Sequence, residues 1–227
     1  MPTRLEREAA RVRDRLEKGD PAWPAQLAVA LTIVLYFALP GKLTLGPNWL
    51  IPVAEGVLLV GLVAATPRGP ARHSQPRRRL AMGLVALVSF ANLVSLILLI
   101  HYLLKGGKAS GHPLILAGIE LWVTNVLLFG VWFWELDRGG PVSRQLEPEA
   151  RLPDFLFPQM TQGGISPPGW RPVFLDYLYT SFTNATAFSP TDTMPLSRWA
   201  KMLMLVESAV SLVLAIMVAA RAINILK

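Results

Sequence analysis

The feature that most constrains this chain is the grouping of its apolar residues. They fall into five blocks, at residues 23–39, 49–65, 80–104, 114–134 and 198–226, each close to or beyond the length needed to cross a bilayer. A hydrocarbon core of roughly 30 Å takes about 20 residues of helix. Inside it no water reaches the backbone, so a crossing segment must satisfy its own N–H and C=O groups, which an α-helix does. With 52% hydrophobic and only 16% charged residues, against about 25% charged in a soluble domain, the composition agrees. The pattern predicts an all-α membrane protein of about five transmembrane helices, with the lipid bilayer as its first partner and a single membrane domain.

The connections divide the chain further. Residues 1–22 form an N-terminal cytoplasmic segment whose Leu5, Ala9, Val12 and Leu16 recur at helical spacing against an Arg/Glu face. Such an amphipathic helix lies on headgroups, pairs with a neighbouring subunit or packs on its own bundle. Residues 23–134 read as a four-helix transmembrane bundle. Residues 135–172 are a polar, Pro/Gly-rich connecting loop, whose apolar stretch from Pro153 to Pro158 is expected to dock on the bundle. Residues 173–227 hold a short aromatic-rich segment, a polar linker and the last helix. The short segment, 173–188, is marginal for a full crossing.

The net charge is +7. In a soluble domain this would raise nucleic acid as a partner. Here the basic residues sit in connections, where the cytoplasmic face of a membrane protein collects them, so no nucleic-acid partner is expected. Six Arg or Lys precede residue 23 and five lie in 66–79, against Lys42 alone and the Lys105–Lys108 pair in the alternate connections. The N-terminus is therefore expected inside. The chain has no cysteine, which excludes disulfides, thiolate metal sites and cysteine nucleophiles. His73, His101 and His112 lack metal-ligand spacing, and no Ser-His-Asp set, phosphate loop or HExxH motif occurs. No enzyme activity, metal or cofactor is expected, and no cleaved signal peptide.

Residues 180–201 read Thr-Ser-Phe-Thr-Asn-Ala-Thr-Ala-Phe-Ser-Pro-Thr-Asp-Thr-Met-Pro-Leu-Ser-Arg-Trp-Ala-Lys. This resembles, without a gap, the pore region of the two-helix potassium-channel superfamily. Tyr179 to Phe182 look like its pore helix, and Ala185 and Thr186 like the residues leading into the filter. Asp192 looks like the filter's closing aspartate, Pro195 like the following proline, and Lys201 like a basic residue opening the inner helix. The resemblance spans residues 173–227 and implies a short re-entrant pore helix, a pore path through Thr186, Ser189, Pro190, Thr191 and Asp192, and a homo-oligomer, by analogy a tetramer. It departs at the filter, where Ser189-Pro190-Thr191 replaces Gly-Tyr-Gly. Glycines let successive carbonyls face the ion; Pro190 fixes φ near −65° and removes an N–H. Potassium selectivity should be lost, leaving hydroxyls and an Asp192 carboxylate to favour cations without fine discrimination. The same residues also read as a helix start, with Ser189 as cap, Pro190 at the first helical position and Asp192 three residues after the cap. On that reading nothing is conducted. The chain as a whole resembles a family of uncharacterised bacterial integral membrane proteins, through residues 134–141, 153–159 and 176–195, which implies a multi-pass location in the bacterial inner membrane.

Three carboxylates fall inside the spans. Glu55 and Glu120 each lie about six residues into parallel-running helices, and Glu207 lies in the last helix. Charge in hydrocarbon costs roughly 2.5–3.5 kcal/mol on insertion scales, so such groups face the bundle interior and often mark function. Asn92 and Asn125 are mid-span and suit interhelical hydrogen bonds. The leading expectation is channel-like, weakly selective or non-selective permeation of monovalent cations. The alternatives are a proton- or ion-coupled small-solute transporter using the three glutamates, or a non-conducting membrane scaffold. Orientation leaves a conflict: four crossings return the chain to the inside before residue 173, whereas the potassium-channel segment enters from outside. An inverted module, a sixth crossing by 173–188, and an early span that fails to cross all remain open.

Overall fold

The computed structural model describes residues 20–44, 47, 49–64, 75–104, 111–146, 150–161, 170–186 and 192–225. The expected N-terminal amphipathic helix, most of the basic loop, and Ser189, Pro190 and Thr191 lie outside the described residues.

Eight α-helices occur among the described residues: α1 (Trp23–Ala38), α2 (Leu50–Ala64), α3 (Gln75–Leu104), α4 (Gly111–Leu136), α5 (Pro141–Leu146), α6 (Pro158–Thr161), α7 (Phe174–Thr186) and α8 (Arg198–Ile225). Three are long and apolar enough to cross a membrane, over Arg78–Leu103, Pro113–Gly139 and Arg198–Ile223. The chain is thus a helical membrane protein. The other two expected spans are shorter apolar helices, α1 with 16 residues and α2 with 15, about 24 and 23 Å long at 1.5 Å per residue. α1 opens on Pro24 in its first turn, where a missing N–H costs nothing. α3 begins five residues before its apolar run, because Pro76 and three arginines make an acceptable first turn, and apolarity does not set where a helix starts.

α4 is the post on which the rest hangs. It touches α1, α3, α7 and α8. Two of its glycines mark close approaches. A Cβ on Gly118 would lie 2.5 Å from the Val218 side chain of α8, and one on Gly130 would lie 3.1 Å from the Leu178 backbone of α7. After Leu136 the chain turns sharply through a short 3₁₀ segment, Asp137–Gly139. Arg138, Gly139 and Gly140 take φ of 51°, 81° and 100°. A Cβ on Gly140 would stand 3.0 Å from the Glu135 carbonyl oxygen, so glycine is required there. Arg138 bears the left-handed geometry without that freedom, and its N–H is held by Asp154 Oδ2 at 2.9 Å.

Two clusters mark the two ends of the bundle. At the Leu136 end, Phe133, Trp134, Phe155, Phe174 and Tyr177 are buried together; at the Gly111 end, Tyr36, Leu39, Leu43, Leu99, Leu114 and Leu214 are. The apolar stretch inside the long connection is docked here: Phe155 meets Phe133, Tyr177 and Trp199 at ring separations of 4.9, 6.2 and 6.0 Å. Its strand β1 (Phe155–Leu156) pairs antiparallel with β2 (Met194–Pro195), just before α8.

These contacts fix the course of α7 and α8. α7 starts with Phe174 against Trp134 and reaches Phe182 against Trp122, twelve residues back along α4. α8 also starts at the Leu136 end, where Trp199 meets Phe155, and runs to Val218 beside Gly118. Both helices therefore begin at the same end of α4. α7 stops part-way and the chain comes back before α8 sets out.

Candidate functional site

α7 is amphipathic in the literal sense. Phe174, Tyr177, Thr180, Ser181, Thr183 and Ala185 are buried, while Leu175, Tyr179 and Phe182 are exposed. Its 13 residues make about 20 Å of helix, short of a bilayer. Thr193 is buried and its hydroxyl lies 3.2 Å from that of Thr180, so the returning chain is pinned beside the middle of α7. Of the sequence-predicted pore residues, Asp192 is exposed next to this pin. Thr186 donates to the Thr183 carbonyl of its own helix at 3.0 Å. Ser189, Pro190 and Thr191 lie outside the described residues.

Glu207 sits where α4, α7 and α8 meet and is fully buried. Ser181 contacts its Oε1, and Asn184 Nδ2 donates to Oε2 at 2.6 Å. Asn184 Nδ2 also donates to the Met204 carbonyl at 2.9 Å, and Ser208 donates to Asn184 Oδ1 at 3.0 Å. From α4, Asn125 donates to Ser211 Oγ at 3.0 Å, and the Val126 carbonyl accepts from Ser181 at 2.7 Å. The three helices are tied here by side-chain bonds. In hydrocarbon such bonds have no competing water, although each is worth only about 0.6 kcal/mol on average.

The other two glutamates are placed differently. Glu55 on α2 is fully buried, and neither carboxyl oxygen has a hydrogen-bond partner among the described residues. Glu120 on α4 borders a small cavity with Thr32, Tyr36, Asn92 and Thr124, and its Oε2 is also unpartnered. Glu55 is not among the residues lining that cavity. The structure therefore does not bring the three glutamates to one place.

A second polar centre lies at the Leu136 end, and the sequence reading did not assign it. Asp137 is fully buried; it accepts from Tyr177 Oη at 2.6 Å and from the Asp154 N–H at 2.8 Å. Arg144, from the short α5, donates to the Trp134 and Asp137 carbonyls at 2.6 and 2.9 Å and covers the Tyr177 ring at 4.9 Å. The Trp134 carbonyl lies in the last turn of α4, where a guanidinium suits the helix dipole, and the Asp137 carbonyl also accepts from the Gly140 N–H at 2.9 Å. Asp20, just before α1, accepts from Trp134 Nε1 and from the Phe174 N–H, and lies 3.9 Å from Arg144. Burial pushes the Asp20 carboxyl above its ordinary range, more than these partners lower it. One turn thus joins the starts of α1 and α7 to the end of α4. The run Trp134 to Pro141 is visible in the sequence, but its partners Asp20, Asp154 and Tyr177 are 17 to 117 residues from Asp137, so spacing could not have found them.

No family model, no curated protein and no solved structure matches this chain.

Proposed function

We propose that this chain is a homo-oligomeric, channel-like protein of the bacterial inner membrane, with residues 173–227 as its pore module. On this reading α1 to α4 and α8 cross the membrane and α7 is re-entrant. Permeation is of monovalent cations, weakly selective or non-selective, along an axis between subunits lined by Asp192.

The observation that carries the reading is the exposed Asp192 beside a half-buried helix of only 13 residues. The Thr193–Thr180 contact holds it about 9 Å along α7 from Phe174. A carboxylate at such depth facing lipid costs roughly 2.5–3.5 kcal/mol, and facing water or a ring of its own copies along an ion path it does not. The neighbouring exposed surface carries Tyr179, Phe182, Met202, Leu205 and Val206, which suit contact with further copies or lipid, beside the exposed cations Arg198 and Lys201. The end at which α7 enters is also where Asp20 precedes α1 and where α3 starts, next in sequence to the two most basic stretches of the chain, so on the positive-inside rule we take it as cytoplasmic. The module is then inverted relative to the potassium channels it resembles, and neither a sixth crossing nor a lost span is needed.

Flux of potassium, sodium and chloride through purified protein in liposomes tests this. Cation flux that falls several-fold in Asp192→Asn supports it; flux unchanged by that substitution, or chloride preference, overturns it.

A second reading, a coupled transporter, draws on Glu55, which is buried without a hydrogen-bond partner among the described residues. It requires that Glu55→Gln abolish solute uptake while the protein still folds.

A further inference from the structure

The hydrogens around Glu207 do not close for a carboxylate. Ser181 has one hydroxyl proton. Its oxygen lies 2.7 Å from the Val126 carbonyl and in hydrogen-bond contact with Glu207 Oε1. The carbonyl can only accept. With Glu207 ionised, Oε1 also only accepts, and one of the two contacts sets lone pair against lone pair in a fully buried site. The set closes when Oε1 carries a proton. Glu207 then donates to Ser181, Ser181 donates to Val126, and Oε2 accepts from Asn184 at 2.6 Å.

Among the described residues nothing nearby offsets a charge here. On α4 the ionisable side chain nearest in sequence to the contacting Asn125 and Val126 is Glu120. On α7 the ionisable groups nearest Ser181 are Tyr179, which is exposed, Tyr177, which donates to Asp137, and Asp176, which accepts from the Val173 N–H. On α8 they are Lys201, which is exposed, and Arg221, fourteen residues on. No cation among the described residues pairs with Glu207, and an unpaired charge buried away from water is costly.

We infer that Glu207 is held as a neutral carboxylic acid, and that its proton, donated to Ser181, keeps the Ser181 hydroxyl on the Val126 carbonyl and so latches α7 to α4. Loss of that proton turns the Ser181 hydrogen to the carboxylate, a stronger acceptor, so the tie to α8 stays while the bond to Val126 is lost, and the far half of α7 is held to α4 by packing alone, with Phe182 on Trp122. This deepens the pore reading, because α7 is the helix that positions Asp192. Glu207 is a positioning residue in this scheme, touching no permeant ion.

The absence of cysteine allows a direct test. Infrared difference spectra of wild type against Glu207→Gln, in lipid, should show a protonated-carboxyl band at neutral pH that disappears on alkalinisation. A spin label on Phe182→Cys, on the exposed face of α7, should gain mobility over the same pH range and stay immobile in Glu207→Gln, whose amide donates to Ser181 without titrating. If Glu207→Gln does not fold, Ser181→Ala replaces it: removing the acceptor should shift the band to higher frequency. No band difference at neutral pH, or a label whose pH response is the same with Gln at 207, overturns the latch. Liposome flux decides the pore reading separately, since neither spectroscopic readout depends on conduction.

Discussion

Glu55 and Glu207 are both fully buried glutamates on apolar helices, and they are held in opposite ways. Glu207 has Ser181 on one oxygen and Asn184 on the other, within a network that ties α4, α7 and α8. Glu55, on α2, has no hydrogen-bond partner on either oxygen among the described residues. A buried polar group is stabilising only to the extent that it is satisfied, and removing one partner of a satisfied set costs more than the set is worth. The same residue type therefore marks a structural joint in one half of the bundle and an unrelieved cost in the other. An unrelieved cost that persists is the mark of a group kept for another purpose, which is why the transporter reading rests on Glu55 and the latch on Glu207.

Substitutions sharpen that contrast. Glu207→Ala should have the largest effect, destabilising by about 3 kcal/mol, because it leaves Ser181 and Asn184 without acceptor or donor and opens a cavity. Glu55→Leu should be neutral or stabilising by about 1 kcal/mol, since it replaces an unpartnered carboxyl with an apolar side chain of similar size. Both are read from denaturant or thermal unfolding in detergent, and equal losses at the two sites would erase the distinction. Next is the joint itself. Gly130→Val should cost about 2 kcal/mol, because even a Cβ there stands 3.1 Å from the Leu178 backbone and α7 must move off α4. The same change at Gly56, where a Cβ meets nothing within 4 Å, should cost less than about 1 kcal/mol.

The smallest effect is expected at Asp20. Its carboxyl binds a proton more tightly in the folded chain than in the unfolded one. Stability should therefore fall as pH rises from the ordinary carboxylate value through the raised one. Asp20→Asn should flatten that slope, with a change in stability below about 1 kcal/mol at neutral pH. A wild-type slope that Asp20→Asn leaves intact would assign it to another group.

Most of the helical plan was legible because lipid-facing helices announce themselves by apolar run length. The α2 and α8 boundaries agree with expectation to within one residue at each end, and α4 to within three. The α3 start was missed because arginines continue a helix as readily as they end an apolar run. At the site, Glu207 and Asn125 were legible as polar residues in apolar helices. Ser181 and Asn184 were read only as part of a pore-like run, and their role as partners of Glu207 depends on α7 folding back along α4. The Asp137–Arg144–Tyr177 centre was illegible for the same reason: its members share a place through tertiary contacts, with no common periodicity. The Trp199–Phe155 and Trp134–Phe174 contacts put the starts of α7 and α8 at one end of α4, which charge counting alone did not reveal, and the proposed re-entrant α7 rests on that geometry.

The central claim is that residues 173–197 enter and leave the membrane by one face. Single cysteines at Arg171 and Leu196, both exposed, and at exposed Lys42 near the Gly111 end, can each be labelled with an impermeant maleimide in vesicles of known orientation. The account predicts that 171 and 196 label from the same side, the side of the N-terminus, and 42 from the other. Labelling of 171 and 196 from opposite sides would make α7 a crossing helix and contradict it.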